Sequence, residues 1–211
     1  MAISAKTTSV FQTACADRAA ANEIIEVLDG GGTRTGTPKT TVGVGAKNGA
    51  AVAAVENVGL VHQTVLTLTA LSVTMVDATT AGNQGGVKIY DFPEGNILIL
   101  GATANLTTLA GVGGITDTAA LVGSVGSTLV DSANATLTTT EANIVPSMTG
   151  TLVGGAGTLK GVNTAVLFLD GTGTPADAYL NLAVPDAGSS ADDTVAVSGT
   201  ITLTWINLGD K

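Results

Sequence analysis

The chain has 211 residues, of which 45% are hydrophobic, 12% are charged and 3% are aromatic, and its formal net charge is −9. Eight scattered Lys and Arg residues against 17 Asp and Glu argue against DNA or RNA as a partner, because phosphate binding needs clustered cations. No apolar run approaches the roughly eighteen residues of a membrane-spanning helix, and none suits a signal peptide. We therefore expect synthesis in the cytoplasm and no membrane partner.

Residues 1–58 lack a clear strand pattern and are predicted to form an extended N-terminal arm and loop region with at most a short helix. Within them, residues 24–28 suit either a short helix or a short strand that ends at three glycines. Residues 33–41 are rich in Thr, Gly and Pro, so we expect a loop, and it holds two of the eight basic residues. Residues 59–211 are predicted to form a β-sandwich domain, with the whole chain as one compact unit.

Residues 60–76 predict a long strand, because β-branched residues dominate and polar and apolar residues alternate in its middle. Residues 87–92 predict a second strand and 93–96 a turn. Residues 97–100 are a continuous apolar run, which is typical of a strand buried on both faces. We expect the strands on either side of the turn to pair as a hairpin.

Residues 106–130 contain five glycines, which disfavours a long helix at about 1 kcal/mol each relative to Ala. Residues 117–122 remain compatible with a single helical turn. Residues 135–138 predict a further strand, and 150–161 are predicted to form a glycine-rich turn region.

Residues 164–169 are predicted to form a buried strand, followed at 170–175 by a turn of the Asp-Gly kind. Residues 178–184 are expected to pair back with that strand, and Pro185 to end them. An acidic Ser/Gly loop then leads to 194–208, where polar and apolar residues alternate.

This last stretch is the clearest strand of the chain, with a dry face and a hydroxylated face. The expected dry face consists of Val195 and Val197 and, after an irregularity at Gly199, of Ile201, Leu203 and Trp205. The expected hydroxylated face consists of Thr200, Thr202 and Thr204. Strands at this density with little helix predict an all-β fold, either a β-sandwich or a jelly-roll-like arrangement.

His62 is the only histidine, so any Ser-His-Asp or Cys-His mechanism must use it. It lies inside a predicted strand with no triad-like spacing around it, which favours a structural or interface histidine. Cys15 is the only cysteine, which excludes an intramolecular disulfide, and its sequence neighbours favour an inert thiol.

Five aspartates between residues 170 and 193 form a loose cluster, and loops of this kind can bind Ca²⁺. They are Asp170, Asp177, Asp186, Asp192 and Asp193. The spacing of an EF-hand loop is missing, which favours solvated loop acids, and the chain lacks the aromatic residues typical of a glycosidase. The glycine groups at 30–32 and 111–114 do not match a phosphate-binding loop and favour turns. The sequence therefore predicts no catalytic, cofactor or metal site.

Four stretches carry a resemblance to a known family. They are 141–147 with Val145-Pro146, 168–172 with the Asp170-Gly171 turn, 177–187, and 192–211 ending in Asn207-Leu208-Gly209-Asp210-Lys211. Over about the last two thirds of the chain, the sequence resembles capsid decoration (cement, or head auxiliary) proteins of tailed bacteriophages. These motifs are structural and bring no catalytic residues with them.

The resemblance implies a non-enzymatic virion protein on the capsid exterior that binds the major capsid protein and forms a homotrimer or another homo-oligomer. For contact residues we predict Arg34 and Lys39, which suit an acidic capsid surface, together with Tyr90 and Phe92. A receptor- or glycan-binding β module is the alternative, with Tyr179 and Trp205 as further aromatic candidates. A hydrolase that uses His62 is a third hypothesis.

Overall fold

The computed structural model describes residues 45–57, 60–78, 82–111, 113–116, 118–130 and 137–209. All of them belong to the compact unit Val42–Lys211. The predicted arm up to residue 44, with Arg34, Lys39 and Cys15, lies outside these residues. The described part is nearly all β and contains no α-helix, which confirms the predicted all-β fold.

The described residues form eleven strands, numbered in chain order. They are β1 (Ala46–Lys47), β2 (Val52–Asn57), β3 (His62–Asp77), β4 (Asn83–Asp91), β5 (Asn96–Ala110), β6 (Ala120–Gly126), β7 (Val145–Thr151), β8 (Ala156–Asn163), β9 (Leu167–Leu169), β10 (Asp177–Val184) and β11 (Asp193–Gly209). Short 3-10 turns occupy Thr139–Glu141 and Asp186–Gly188. Strands β1 and β2 lie in the region predicted as arm and loop, and both pair with longer strands.

The strands form two antiparallel sheets that face each other. In the first sheet the order is β7-β6-β10-β4, with β1 on β4, and in the second it is β3-β11-β5-β8, with β2 on β3 and β9 on β5. The end of β3 joins the sheets, since Val76 and Asp77 pair with the start of β4. At the opposite side a tight turn with paired Val153 and Ala156 connects β7 to β8. The sandwich is therefore nearly closed into a barrel.

Strand β11 lies in the middle of the second sheet, hydrogen-bonded to β3 and β5 along most of its length. The five apolar residues predicted for its dry face are all fully buried, which confirms the predicted alternation. The predicted irregularity is a bulge in which Thr69 and Ala70 on β3 oppose Ser198. Ser198 Oγ accepts a hydrogen bond from Ala70 N at 2.9 Å, and Gly199 has a φ of +130°.

The core lies between the sheets and is built mainly from aliphatic side chains, with one small aromatic cluster. Phe92 packs edge-on against both Tyr90 and Trp205, with ring centroids 5.1 and 5.4 Å apart. All three rings are buried, so half of the chain's six aromatic residues hold the interior together.

The predicted hairpin between 87–92 and 97–100 is wrong. Strand β4 pairs with β1, β3 and β10, whereas β5 pairs with β8, β9 and β11. At residues 93–95 the chain crosses from the first sheet to the second, because the inward side chains of both strands must face the same core. The run 97–100 is also buried on one face only, through Ile97 and Ile99.

Two further predictions are corrected at glycine-rich segments. Of the predicted helical turn at 117–122, residues 120–122 belong to β6 and residue 117 lies outside the described residues. Most of 150–161 forms β7 and β8 instead of a turn region. Glycine fits here because the strands approach closely: a Cβ on Gly150 would lie 2.5 Å from Thr158 O, and one on Gly161 would lie 2.6 Å from Met148 Cγ.

The predicted buried strand at 164–169 is shortened to β9, in which only Leu169 is buried. Strand β10 pairs with β4 and β6 instead of β9, so the predicted pairing across the Asp-Gly turn is wrong. Pro185 does end β10, as predicted. Of the predicted strand 135–138, Leu137 and Thr138 lie outside any strand, and the rest lies outside the described residues.

Candidate functional site

His62 belongs to a buried polar cluster at one end of the core. Its Nδ1 lies 2.7 Å from Glu56 Oε1, and Tyr90 donates its hydroxyl proton to Glu56 Oε2 at 2.7 Å. Trp205 Nε1 donates to Thr64 Oγ1 at 2.9 Å, and the His62 and Trp205 rings stack with centroids 4.0 Å apart. The side chains of His62 and Glu56 are 1% and 7% exposed. This cluster connects β2, β3, β4 and β11.

The cluster has the chemistry of a structural network. Burial raises the pKa of Tyr90 well above its ordinary value, so the phenol stays a neutral donor to Glu56. His62 Nε2 is buried and has no hydrogen-bond partner among the described residues. A hydrolytic triad needs a nucleophilic hydroxyl at that nitrogen, and the described residues place none there.

Four of the five predicted aspartates lie in loops or at the first residue of a strand and accept hydrogen bonds from the chain itself, namely Asp170, Asp177, Asp192 and Asp193. The side chain of Asp186 lies outside the described part of the structure. Asp170 accepts from Thr172 N at 3.1 Å and from Thr172 Oγ1 at 2.7 Å, and these bonds lower the pKa of its carboxyl. Asp193 accepts from Ile115 N, and Asp192 accepts from the main chain of β3. In the described part of the chain no three His, Cys, Asp or Glu residues are grouped as metal ligands would be.

A second charged group lies on the outside of the first sheet. Lys88 Nζ is 2.5 Å from Asp91 Oδ1 and 3.5 Å from Asp177 Oδ1, and Tyr179 donates its hydroxyl proton to Asp177 Oδ2 at 2.9 Å. Burial and a hydrogen bond with Asp91 raise the pKa of Asp177. The hydrogen bond with Asp91 raises the pKa of Lys88, so the ammonium stays charged.

The outer face of the second sheet is almost without charge. Two adjacent rows of residues cross it in register, one residue from each of β2, β3, β11, β5 and β8. The first row is Val55, Val65, Thr202, Thr103 and Val162, and the second is Ala53, Thr67, Thr200, Asn105 and Lys160. We call these ten residues the threonine face. Its single charged residue is Lys160, and Val55 and Val162 are 65% and 62% exposed.

An apolar strip continues the outer surface of the same sheet toward the end of β11. Phe168, Leu98 and Ile206 stand in register across β9, β5 and β11. Phe168 and the nearby Leu208 are each more than half exposed. Exposed apolar side chains gathered in one area mark protein contact surfaces more often than they mark free surface.

A groove of about 490 Å³ lies beside β9. Its walls combine apolar, hydroxyl and acidic side chains. They are Ser127, Thr140, Asn143, Leu167, Phe168, Leu169, Asp170, Thr174, Pro175, Ala176 and Asp177. This volume is within the range of about 300–1,000 Å³ that is typical of ligand sites.

The structure corrects two of the predicted contact residues. Tyr90 and Phe92 are 0% and 2% exposed, so both belong to the core and neither side chain reaches the surface of the described fold. Trp205, a candidate for glycan binding, is buried as well. Phe168 is the exposed aromatic residue that the sequence prediction missed, because the run 164–169 shows no alternation that would distinguish an outer from an inner face.

Among the described residues, no helix has the length and apolar character to cross a membrane. We compared the chain with protein-family models and with curated proteins, and no family model and no curated protein matches it.

Proposed function

We propose that the protein is a structural component of a tailed-phage virion, which decorates the outer surface of the capsid and bridges major capsid protein subunits. The observation that carries this proposal is the threonine face. On a chain with a net charge of −9, ten residues on the outside of one sheet include a single charge. The resemblance of about the last two thirds of the chain to decoration proteins supports the same assignment.

A face of this composition suits burial against another protein. Few charges have to be desolvated, and each exposed methyl group that becomes buried contributes at about 25 cal/mol per Å². Threonine hydroxyls can both donate and accept hydrogen bonds, so they find partners on a polar capsid surface. A stable interface needs roughly 1,200–2,000 Å² in total, and a sheet face that crosses five strands offers a continuous surface for such a contact.

We further propose that copies associate as a homotrimer or another closed homo-oligomer. Closed symmetry buries sheet edges that are otherwise open to pairing with other chains, and β2 is such an edge strand in the described fold. Light scattering after size-exclusion chromatography measures the molar mass of the protein in solution. A monomeric mass at high protein concentration contradicts the proposed oligomer.

The decisive experiment uses virions of the phage that encodes the chain. We expect mass spectrometry to find the protein in purified particles, and cryo-microscopy to place its β-sandwich on the outside of the head. Particles that lack the chain, or that carry it only in the tail, overturn the proposal.

Variants with matched charge changes test the threonine face itself. The double variant Thr103→Glu with Val162→Glu places two neighbouring carboxylates on the face, and we expect it to reduce binding to undecorated capsids by at least about tenfold. The double variant Thr149→Glu with Thr151→Glu is the control, because both exposed residues lie on β7 of the first sheet. Binding is measured by co-sedimentation with capsids. If both variants lose binding equally, the threonine face is not the capsid contact.

A further inference from the structure

The groove beside β9 lies where the sandwich fails to close. Strands β8 and β9 follow each other along the same edge of β5, with β8 opposite Ala102 to Leu109 and β9 opposite Ile97 to Ile99. Strand β8 is joined to β7 by the tight turn in which Val153 pairs with Ala156. The far side of β9 has no neighbouring strand in the described part of the chain, and the groove occupies that position.

The groove follows the edge of β9 and not one of its faces. Side chains of a strand alternate between two faces, yet Leu167, Phe168 and Leu169 all line the groove. An antiparallel strand directs the N–H and C=O of alternate residues to opposite edges, so part of the main chain of β9 points into the groove. Among the described residues no hydrogen bond reaches these groups from the groove side.

The side chains around the groove add a charge preference. Asp170 and Asp177 line it, and its lining residues include no Lys or Arg. Asp170 uses one carboxylate oxygen for Thr172, and its other oxygen accepts no hydrogen bond from the described residues. Phe168 offers an exposed aromatic ring beside this acidic end.

We propose that the groove binds an extended peptide segment of a partner protein as an added strand on β9. The segment carries a Lys or Arg that meets the second carboxylate oxygen of Asp170, and an apolar side chain that packs on Phe168. Unpaired main-chain groups of an edge strand supply affinity in this mode, and the flanking side chains supply selectivity. This inference goes beyond the proposed function. The groove and the threonine face share no residue, so either proposal can be wrong while the other is correct.

The test uses the full chain labelled with ¹⁵N and three capped hexapeptides. The first is Thr-Val-Thr-Val-Lys-Thr, the second has Glu in place of Lys, and the third is the first with its central amide nitrogens methylated. We expect the Lys peptide to shift the amide signals of β9 and Asp170, the Glu peptide to bind about tenfold more weakly, and the methylated peptide not to bind.

Two variants locate the site. Asp170→Asn keeps the turn with Thr172 but removes the charge, and we expect it to weaken the Lys peptide about tenfold while leaving the Glu peptide unaffected or tighter. Val153→Ala is the control, since this residue is 76% exposed at the β7–β8 turn away from the groove, and we expect unchanged binding.

Three outcomes overturn the proposal. The first is absence of β9 shifts with the Lys peptide, and the second is equal binding of the methylated peptide, which excludes main-chain pairing. The third is a shift of the same signals by cellohexaose but not by the peptide, which assigns the groove to carbohydrate. If the β9 signals change only with protein concentration, the occupant is a second copy and not a peptide segment.

Discussion

At the scale of single residues, Glu56 has the most consequential position in the described fold. Its two carboxylate oxygens bind His62 and Tyr90, which come from two other strands. We expect Glu56→Ala to lower the free energy of unfolding by about 3 kcal/mol, because it leaves two buried polar groups unpaired at about 1–3 kcal/mol each. Urea unfolding followed by the fluorescence of Trp205 measures this change.

Glu94→Ala is the control for this prediction. Glu94 is exposed and lies in the crossing between the sheets, so we expect a change within about 0.5 kcal/mol. Glu56→Gln keeps one acceptor oxygen and is expected to fall between the two variants. A loss from Glu56→Ala no larger than that from Glu94→Ala would show that the cluster does not stabilise the fold.

The contributions of two aspartates to the free energy of unfolding are expected to change with pH in opposite directions. The pKa of Asp177 is raised in the folded chain by burial and by Asp91, so its contribution to stability is present below its unfolded pKa and is lost as pH rises through the folded pKa. The pKa of Asp170 is lowered by its bonds to Thr172, so its contribution is present above the unfolded pKa and is lost as pH falls.

The measurement is the difference in unfolding free energy between wild type and variant, from about pH 7 down to about pH 3. As pH falls, this difference is expected to shift in favour of wild type for Asp177→Asn and against wild type for Asp170→Asn. Two differences with the same sign would contradict the assigned environments of these carboxyls.

At the scale of elements, the bulge between β3 and β11 depends on Gly199. The residue has a φ of +130°, and a Cβ there would overlap Asn105 O on β5. We expect Gly199→Ala to cost about 2–3 kcal/mol, from the strained backbone conformation and from displacement of a central strand. Gly173→Ala is the control, because a Cβ there meets nothing within 4 Å. Thermal unfolding compares the melting temperatures of the two variants, and equal melting temperatures would contradict the prediction.

The sequence predicted the strands with a regular polar and apolar alternation, and it did so for a physical reason. In β3 and β11 one face is buried and the other is exposed, so a period of two is required. It did not predict which strands pair. Strands β4 and β5 are separated by a short turn, yet each pairs with strands distant in sequence, because sheet partners are chosen by the shared core and not by loop length.

At the scale of the whole molecule, strand density was enough to predict a sandwich, and the threonine residues of β11 were correctly placed on its hydroxylated side. The apolar strip and the groove were not predictable. Both depend on β9, a strand of three residues whose position along β5 follows from the rest of the sheet. Burial of Tyr90 and Phe92 was missed for the same reason, since composition does not show on which side of a strand an aromatic ring lies.

The position of β11 has a further consequence, which concerns the rate of folding. Trp205 and Thr64 are 141 residues apart in sequence and hydrogen-bonded in the fold, so the central pairing closes a very long loop. Folds dominated by such distant contacts form in about milliseconds to seconds. We expect stopped-flow refolding, followed by the single tryptophan, to fall in that range, and a microsecond phase with full amplitude would contradict it. Until β11 inserts, β3 and β5 expose unpaired edges, so we expect the yield of refolded protein to fall as the protein concentration rises.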